Sequence, residues 1–499
     1  MTRIKTLILA AALTALSFGG STAQDRAFTI AIPLLPISLG NPLAVGGFPQ
    51  LLVWPVMFDT LVELDETGTF QPSLALSWRA ETPTTWVFEL REGVTFSNGE
   101  PFDAAAAKGT FDFLLTEAGR RMSSSRDIQS VADTRVRGPY TLEIATSRPD
   151  ATLPGKLAGV WMLPPRYLAQ VGEDGFARAP HGTGPFRAEA VSSSEFRLAA
   201  YDGAWQRARL ERLNLKALPD TTSRVQALIS GAVDIAFDVG LDDLETIEAA
   251  GGRIDYRKRA SVEVWQFITE LPSPLQDARV RMALNIAIDR QRIVDALLRG
   301  KTRIATQFTA HDVFGFDPDL PPFPFDPARA KQLLAEAGFP NGLDLTFQVS
   351  ADGPSEAAVY QQVASDLAAV GARITVRRVT RQQIQDGVYN GKWIGVAFNM
   401  NYGSLPAFDP LAALRYHSCS WPTPWVCRPE ISALMKDVEA EFDVEKRRAI
   451  IRTIMGKLRA DPPGLALFEN IHPDGLGPRV AGYRAPFGFV RYHELNVTD

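Results

Sequence analysis

The chain of 499 residues holds only two cysteines and five histidines. It contains no G-x-S-x-G elbow, no H-E-x-x-H pair and no Walker loop. His181, His311, His417, His472 and His493 stand far apart, with no spacing suited to a zinc site or a catalytic dyad. They read as turn or surface residues, so no enzyme, metal or cofactor is expected. Charge of one sign never accumulates in a long run, and Asp242-Asp243 reads as part of a solvated face. The formal net charge is −5. An acidic excess argues against a nucleic-acid partner, because binding phosphates needs a basic face. No internal repeat or low-complexity segment occurs, and beyond the N-terminus no segment is apolar for the ~20 residues a membrane span needs.

The N-terminus is the exception. Arg3 and Lys5 precede an apolar run from Leu7 to Leu16, and Ser21-Thr22-Ala23 supplies small residues for cleavage. Residues 1–23 therefore read as a cleaved export signal, with no Cys nearby for a lipid anchor. The expected product is a soluble exported protein, which meets an oxidising compartment. A disulfide between Cys419 and Cys427 is then expected. The alternative, a metal pair, would need further ligands beyond the neighbouring His417.

With 45% apolar residues the chain can bury a large core, and its length suggests two or three domains. Residues 28–33 read as a strand, and 51–64 as an amphipathic helix interrupted at Pro55. Trp86, Phe88 and Leu90 alternate with Val87 and Glu89, a half-buried strand before a turn at Ser97-Asn98-Gly99. A helix over 102–115 and a strand over 140–145 complete a small α+β unit. Residues 213–217, a helix from Ser223 to Ile229 and the strand Val233–Ala236 suggest a parallel sheet. Val280, Ala283, Leu284, Ala287 and Ile288 make one apolar helical stripe, and Asp289 caps a second short helix stopped by Gly300. Asp326-Pro327 opens another helix, closed at Gly338. Residues 399–429 read as a long irregular loop.

Several of these stretches resemble one family. Val280–Arg290 (VRMALNIAIDR) resembles the run that opens the second lobe of solute-binding proteins from peptide-type ABC importers. Phe325–Gly342, Trp86–Gly99, His181–Phe186 (HGTGPF) and Tyr201–Trp205 also match family segments, in order, over roughly residues 28–497. The chain thus resembles family 5 (peptide/nickel/dipeptide-type) extracytoplasmic solute-binding proteins, most in pattern the dipeptide-binding branch. The resemblance implies an α/β, two-lobed periplasmic binding protein of type II (cluster C-like) with an extra small α+β subdomain. Lobe I would comprise 24–268 and 471–499, with the subdomain at about 65–185, and lobe II 269–470. It implies a periplasmic monomer that captures a peptide or peptide-like solute and delivers it to a membrane permease. Alternatives are a neutral oligosaccharide, an opine or another non-peptide solute, or a periplasmic hydrolase.

Dipeptide-binding relatives hold the peptide amine with an Asp after the strand matching Gly395–Phe398, and the carboxylate with an Arg before the helix at Ser355. Here Asn401 stands at the first position, and Ser350–Pro354 contains no Arg. The solute is therefore expected either to offer its amine to Asp352 or Asp409, or to be neutral. Asn399, Asn401 and Tyr402 are expected to supply hydrogen bonds, and Trp265 an apolar wall. Asn399 and Asn401 are equally compatible with turn chemistry, and Trp265 with core packing.

Overall fold

A computed structural model describes residues 27–44, 50–350 and 354–498. The export signal over 1–23 and Asp352 lie outside the described residues.

Ten strands form one sheet, labelled here in chain order: β1 (Phe28–Ile32), β2 (Phe186–Val191), β3 (Glu195–Ala200), β4 (Arg212–Ala217), β5 (Ile235–Ala236), β6 (Arg253–Phe267), β7 (Leu343–Val349), β8 (Ala372–Arg378), β9 (Ala397–Gly403) and β10 (Gly464–Leu476). Their spatial order is β8-β7-β9-β6-β10-β5-β1-β4-β3-β2. The first lobe holds β1 to β5, with β1 parallel to both β4 and β5. The second holds β7 to β9, with β7 parallel to both neighbours. Parallel strands need a crossover: helix Thr221–Ile229 joins β4 to β5 on the two sides of β1, and Pro354–Ala369 joins the neighbours β7 and β8.

Strands β6 and β10 run through both lobes. They pair antiparallel from Arg253 opposite Leu476 to Gln266 opposite Gly464. The ladder is broken between Lys258 and Val262, where Ala260 takes φ 51°, and shifts again between Glu263 and Val264. Extra residues in one strand bend it and sharpen its twist, so this bulge is where the ladder turns from one lobe into the other.

A separate four-stranded antiparallel sheet makes the small subdomain: Ala75–Thr82, Thr85–Leu90, Thr141–Thr146 and Val131–Gly138, in that spatial order. Helix Ala104–Leu115 covers it, started by the Asp103 carboxylate accepting from the Ala106 N–H and burying Phe111 and Leu114. The stripe at 280–288 is a helix over Ala278–Ile286, capped by Asp277. Asp289 caps the next turn, and Gly300 (φ 66°) ends it.

Two local expectations are corrected. The helix expected over 51–64 ends by Val56, because Pro55 contributes no N–H; Val62–Leu64 is instead a strand paired with Phe70–Pro72. The loop expected from 399 begins later, since β9 stays paired with β6 as far as Gly403 opposite Ser261. The glycines of the HGTGPF segment serve close approach rather than unusual backbone angles: a Cβ on Gly182 would lie 2.0 Å from the Met57 carbonyl oxygen.

Where β6 leaves the first lobe, the fully buried Arg257 donates from Nε and Nη2 to Asp474 (2.8 and 3.0 Å) and from Nη2 to Asp238 (2.8 Å). The Tyr483 hydroxyl also donates to Asp474 (2.6 Å). Removing the cation would strand two carboxylates away from water. Arg257→Leu is expected to cost about 3–5 kcal/mol of unfolding free energy, measured by urea denaturation. A loss below about 1 kcal/mol would show that the network is not structural in this sense.

Candidate functional site

Beyond the bulge, strand alternation decides which side chains share a face. Glu263 and Trp265 share one face of β6; Asn401 and Asn399 stand opposite them on β9. The Tyr360 hydroxyl donates to Glu263 (3.0 Å) and accepts from the Asn399 amide (2.8 Å). Asn470 on β10 donates to Asn401 Oδ1 and to Ser261 Oγ, each at 3.1 Å. One step toward the first lobe, Arg259 Nη1 lies 3.1 Å from His472 Nε2, and His472 Nδ1 lies 2.7 Å from Asp238. Arginine can only donate, so Nε2 accepts and the ring proton sits on Nδ1, given to Asp238. Burial pushes His472 below its ordinary value and lowers Arg259 to about 10, against the pull of Asp238.

Further out, the small subdomain meets the second lobe around a cavity of about 640 Å³. Arg126, Asp127, Arg148 and Lys156 line it from the subdomain. Asp409, Arg415, Trp421 and Glu439 line it from the second lobe. Polar contacts cross between the two sides. Arg415 Nη1 donates to Asp127 (2.7 Å), Lys156 to Glu439 (2.9 Å), Arg148 Nε to Glu439 (3.3 Å), and Arg126 Nη1 to the Tyr389 hydroxyl (2.8 Å). Asp150, buried beneath this surface, accepts from Lys156 and Ser130, and the Lys156 ammonium helps hold its carboxyl below the usual range although burial opposes this. The Cys419–Cys427 disulfide closes the loop that carries Trp421 to the cavity. Trp425 in the same loop is buried, with Tyr416 stacked on it at 5.2 Å.

The residues singled out in sequence divide unevenly. Asn401 is exposed beside the bulge. Asn399 is occupied: its Oδ1 accepts from Ser350 N–H, and its amide donates to the Ser350 carbonyl and to Tyr360. Tyr402 is a correction. Successive strand residues point to opposite faces, so Tyr402 turns away from Asn401 into the core, 1% exposed, bonded to Gln266 and His417. Trp265 is also corrected: it is fully buried against Phe347 and Tyr360 and forms no wall of the gap. Asp409 borders the cavity, buried, with its carboxylate accepting from the Leu411 N–H. Arg126, Arg415, Lys156 and Glu439 escaped notice, because nothing in local spacing links residues about 290 positions apart.

Burial raises Asp409 from its ordinary value to about 6. A carboxyl raised in the folded state favours folding below its unfolded value near 3.8, and that contribution disappears as pH rises through about 6. Stability is therefore expected to fall between pH 4 and pH 7 by on the order of 3 kcal/mol from this group. Asp409→Asn keeps the acceptor for Leu411 and should abolish that part of the pH dependence in denaturant titrations; an unchanged profile would assign the slope to other groups.

Similarity to characterised proteins agrees with this architecture. Heme-binding protein A of Haemophilus influenzae is 23% identical over 99% of this chain and 97% of its own length. Glutathione-binding protein GsiB of Salmonella paratyphi A is 29% identical over 68% of this chain and 72% of its own. The periplasmic binding protein DppA from Helicobacter pylori, solved with the peptide STSA, superposes with a TM-score of 0.80 at 20% identity, covering 94% of this chain and 98% of that one. This last likeness shows a common two-lobed fold. The description "bacterial extracellular solute-binding proteins, family 5" matches residues 69–420, and the chain belongs to that family.

Proposed function

We propose that this protein is the periplasmic receptor of an ABC importer, taking a small peptide or peptide-like solute between its lobes and passing it unreacted to a membrane permease. Family membership supplies the solute-binding role. The observation that carries the rest is the paired β6–β10 ladder with its bulge at Ala260, together with a cavity whose walls come from the small subdomain and the second lobe. A bulged two-strand connection lets the lobes turn against each other without unpairing the whole ladder. The cavity size falls in the range of pockets that enclose drug-sized ligands. Its mixed charges and single indole suit a solute with ionised ends and a short apolar body, as relatives named for glutathione or solved with a short peptide suggest. In this reading residues 1–23 are removed on export, and the lobes divide near 260 and 470, where β6 and β10 face each other at the bulge, earlier on β6 than the 268 expected from sequence.

Native mass spectrometry of the protein purified from the periplasm under mild conditions tests this directly. A co-purifying solute of a few hundred daltons is expected, released on unfolding and recovered chemically intact after prolonged incubation with fresh protein. Conversion of the recovered compound into products would replace the receptor reading with a hydrolase. Absence of any bound compound, together with no thermal stabilisation by a casein hydrolysate, would remove the peptide reading.

A further inference from the structure

We propose that the solute presents a carboxylate to Arg126 and Arg415, which grip it from opposite sides of the gap. This rests on the receptor reading above and deepens it by naming the charge of the solute. Both guanidinium groups line the same cavity, Arg126 from the small subdomain and Arg415 from the second lobe. Each lies over a tyrosine ring: Arg126 is 4.8 Å from the centre of Tyr389, and Arg415 is 5.0 Å from that of Tyr416. Such stacking fixes the plane of the fork and leaves its edge for a planar anion.

Each fork is also tied to its tyrosine by a hydrogen bond. Arg126 Nη1 donates to Tyr389 (2.8 Å), Arg415 Nη2 donates to Tyr416 (3.2 Å), and Arg415 Nη1 donates to Asp127, the residue after Arg126. Asp127 thus pairs with Arg415 alone among the described residues. Among the described residues Arg126 makes no ion pair, and the buried Arg415 Nε–H has no acceptor. The exposed Arg126 fork spends only one donor, on Tyr389, and faces the cavity with N–H groups that a solute carboxylate would accept from. Trp421, 4.8 Å from Tyr416 and 5.9 Å from Tyr389, adds an apolar wall next to the fork. The cation that the dipeptide-binding relatives place before residue 355 is missing here; this pair supplies the same charge from another direction. Because one Arg belongs to each side, an anion bridging them favours the closed form.

The test uses the purified full chain, freed of bound solute by unfolding and refolding. It is challenged with casein hydrolysate, with the same hydrolysate after methyl esterification of its carboxyl groups, and with octopine, citrate and succinate. Melting temperature and half-saturating concentration are read for wild type, Arg126→Gln and Arg415→Gln. Stabilisation by the free-acid hydrolysate, its loss on esterification, and half-saturation weakened about 10- to 100-fold in either variant are expected. Arg126 is exposed, so its variant should melt like wild type when empty; that variant and the esterified arm decide the matter even if Arg415→Gln does not fold. Equal protection by acid and ester overturns the clamp and leaves the receptor reading intact. Arginine-dependent protection by the non-peptide acids alone supports the clamp and overturns the peptide reading. No protection by any of these compounds overturns both.

Discussion

The structure depends on one ladder. β6 and β10 are hydrogen-bonded to each other along most of their lengths, and each end of that ladder is sewn into a different lobe. Hydrogen bonds do not stretch, so relative motion of the lobes must be absorbed by backbone torsion where the pairing is already broken. That place is Lys258–Val262, with Ala260 in the left-handed region, a conformation an alanine holds only when its surroundings impose it. On the first-lobe side, the Arg257–Asp474–Asp238 network anchors the strand. On the second-lobe side, Val262 and Val264 sink into an apolar core with Tyr402 and Ala466. A rigid anchor on each flank of a short irregular segment is what confines bending to it.

The contacts across the gap are of a different kind. Arg415–Asp127 and Arg148–Glu439 are partly solvated, and such pairs contribute about 0–1 kcal/mol each. They can orient the closed form but hardly hold it against the entropy of opening. A guest that adds its own charge-assisted hydrogen bonds then tips the balance, and binding and closure become one event. The disulfide has a related role. It fixes the loop bearing Trp421 against the buried Trp425 cluster, so the cavity wall is present before a guest arrives.

Much of this was legible in the sequence where local chemistry decides structure. Asp-Pro at 326–327, Asp289 with Gly300, and the spaced apolar stripe at 280–288 each specify a helix end or face, and each is found. The pairing of the two cysteines followed from compartment and proximity. What stayed hidden depends on partners distant in the chain. Asn399-Met400-Asn401-Tyr402-Gly403 is poor in strand formers and reads as loop, yet pairing with β6 extends the strand and turns Tyr402 inward. Nothing in Arg259-Ala260-Ser261 announces a bulge. Arg126 and Arg415 acquire meaning only when folding sets them at the rim of one cavity.

The central claim is that the lobes turn about the Ala260 bulge to close on a guest. Spin labels on cysteines introduced at Gln129, in the small subdomain, and Gln382, at the start of helix Arg381–Asn390, report the gap directly, since both positions are exposed and both native cysteines are bridged. Pulsed dipolar spectroscopy should give a broad or longer distance distribution in the solute-free protein, collapsing to one shorter, narrow distance with saturating solute. A single distance unchanged by any solute that raises the melting temperature would contradict the account.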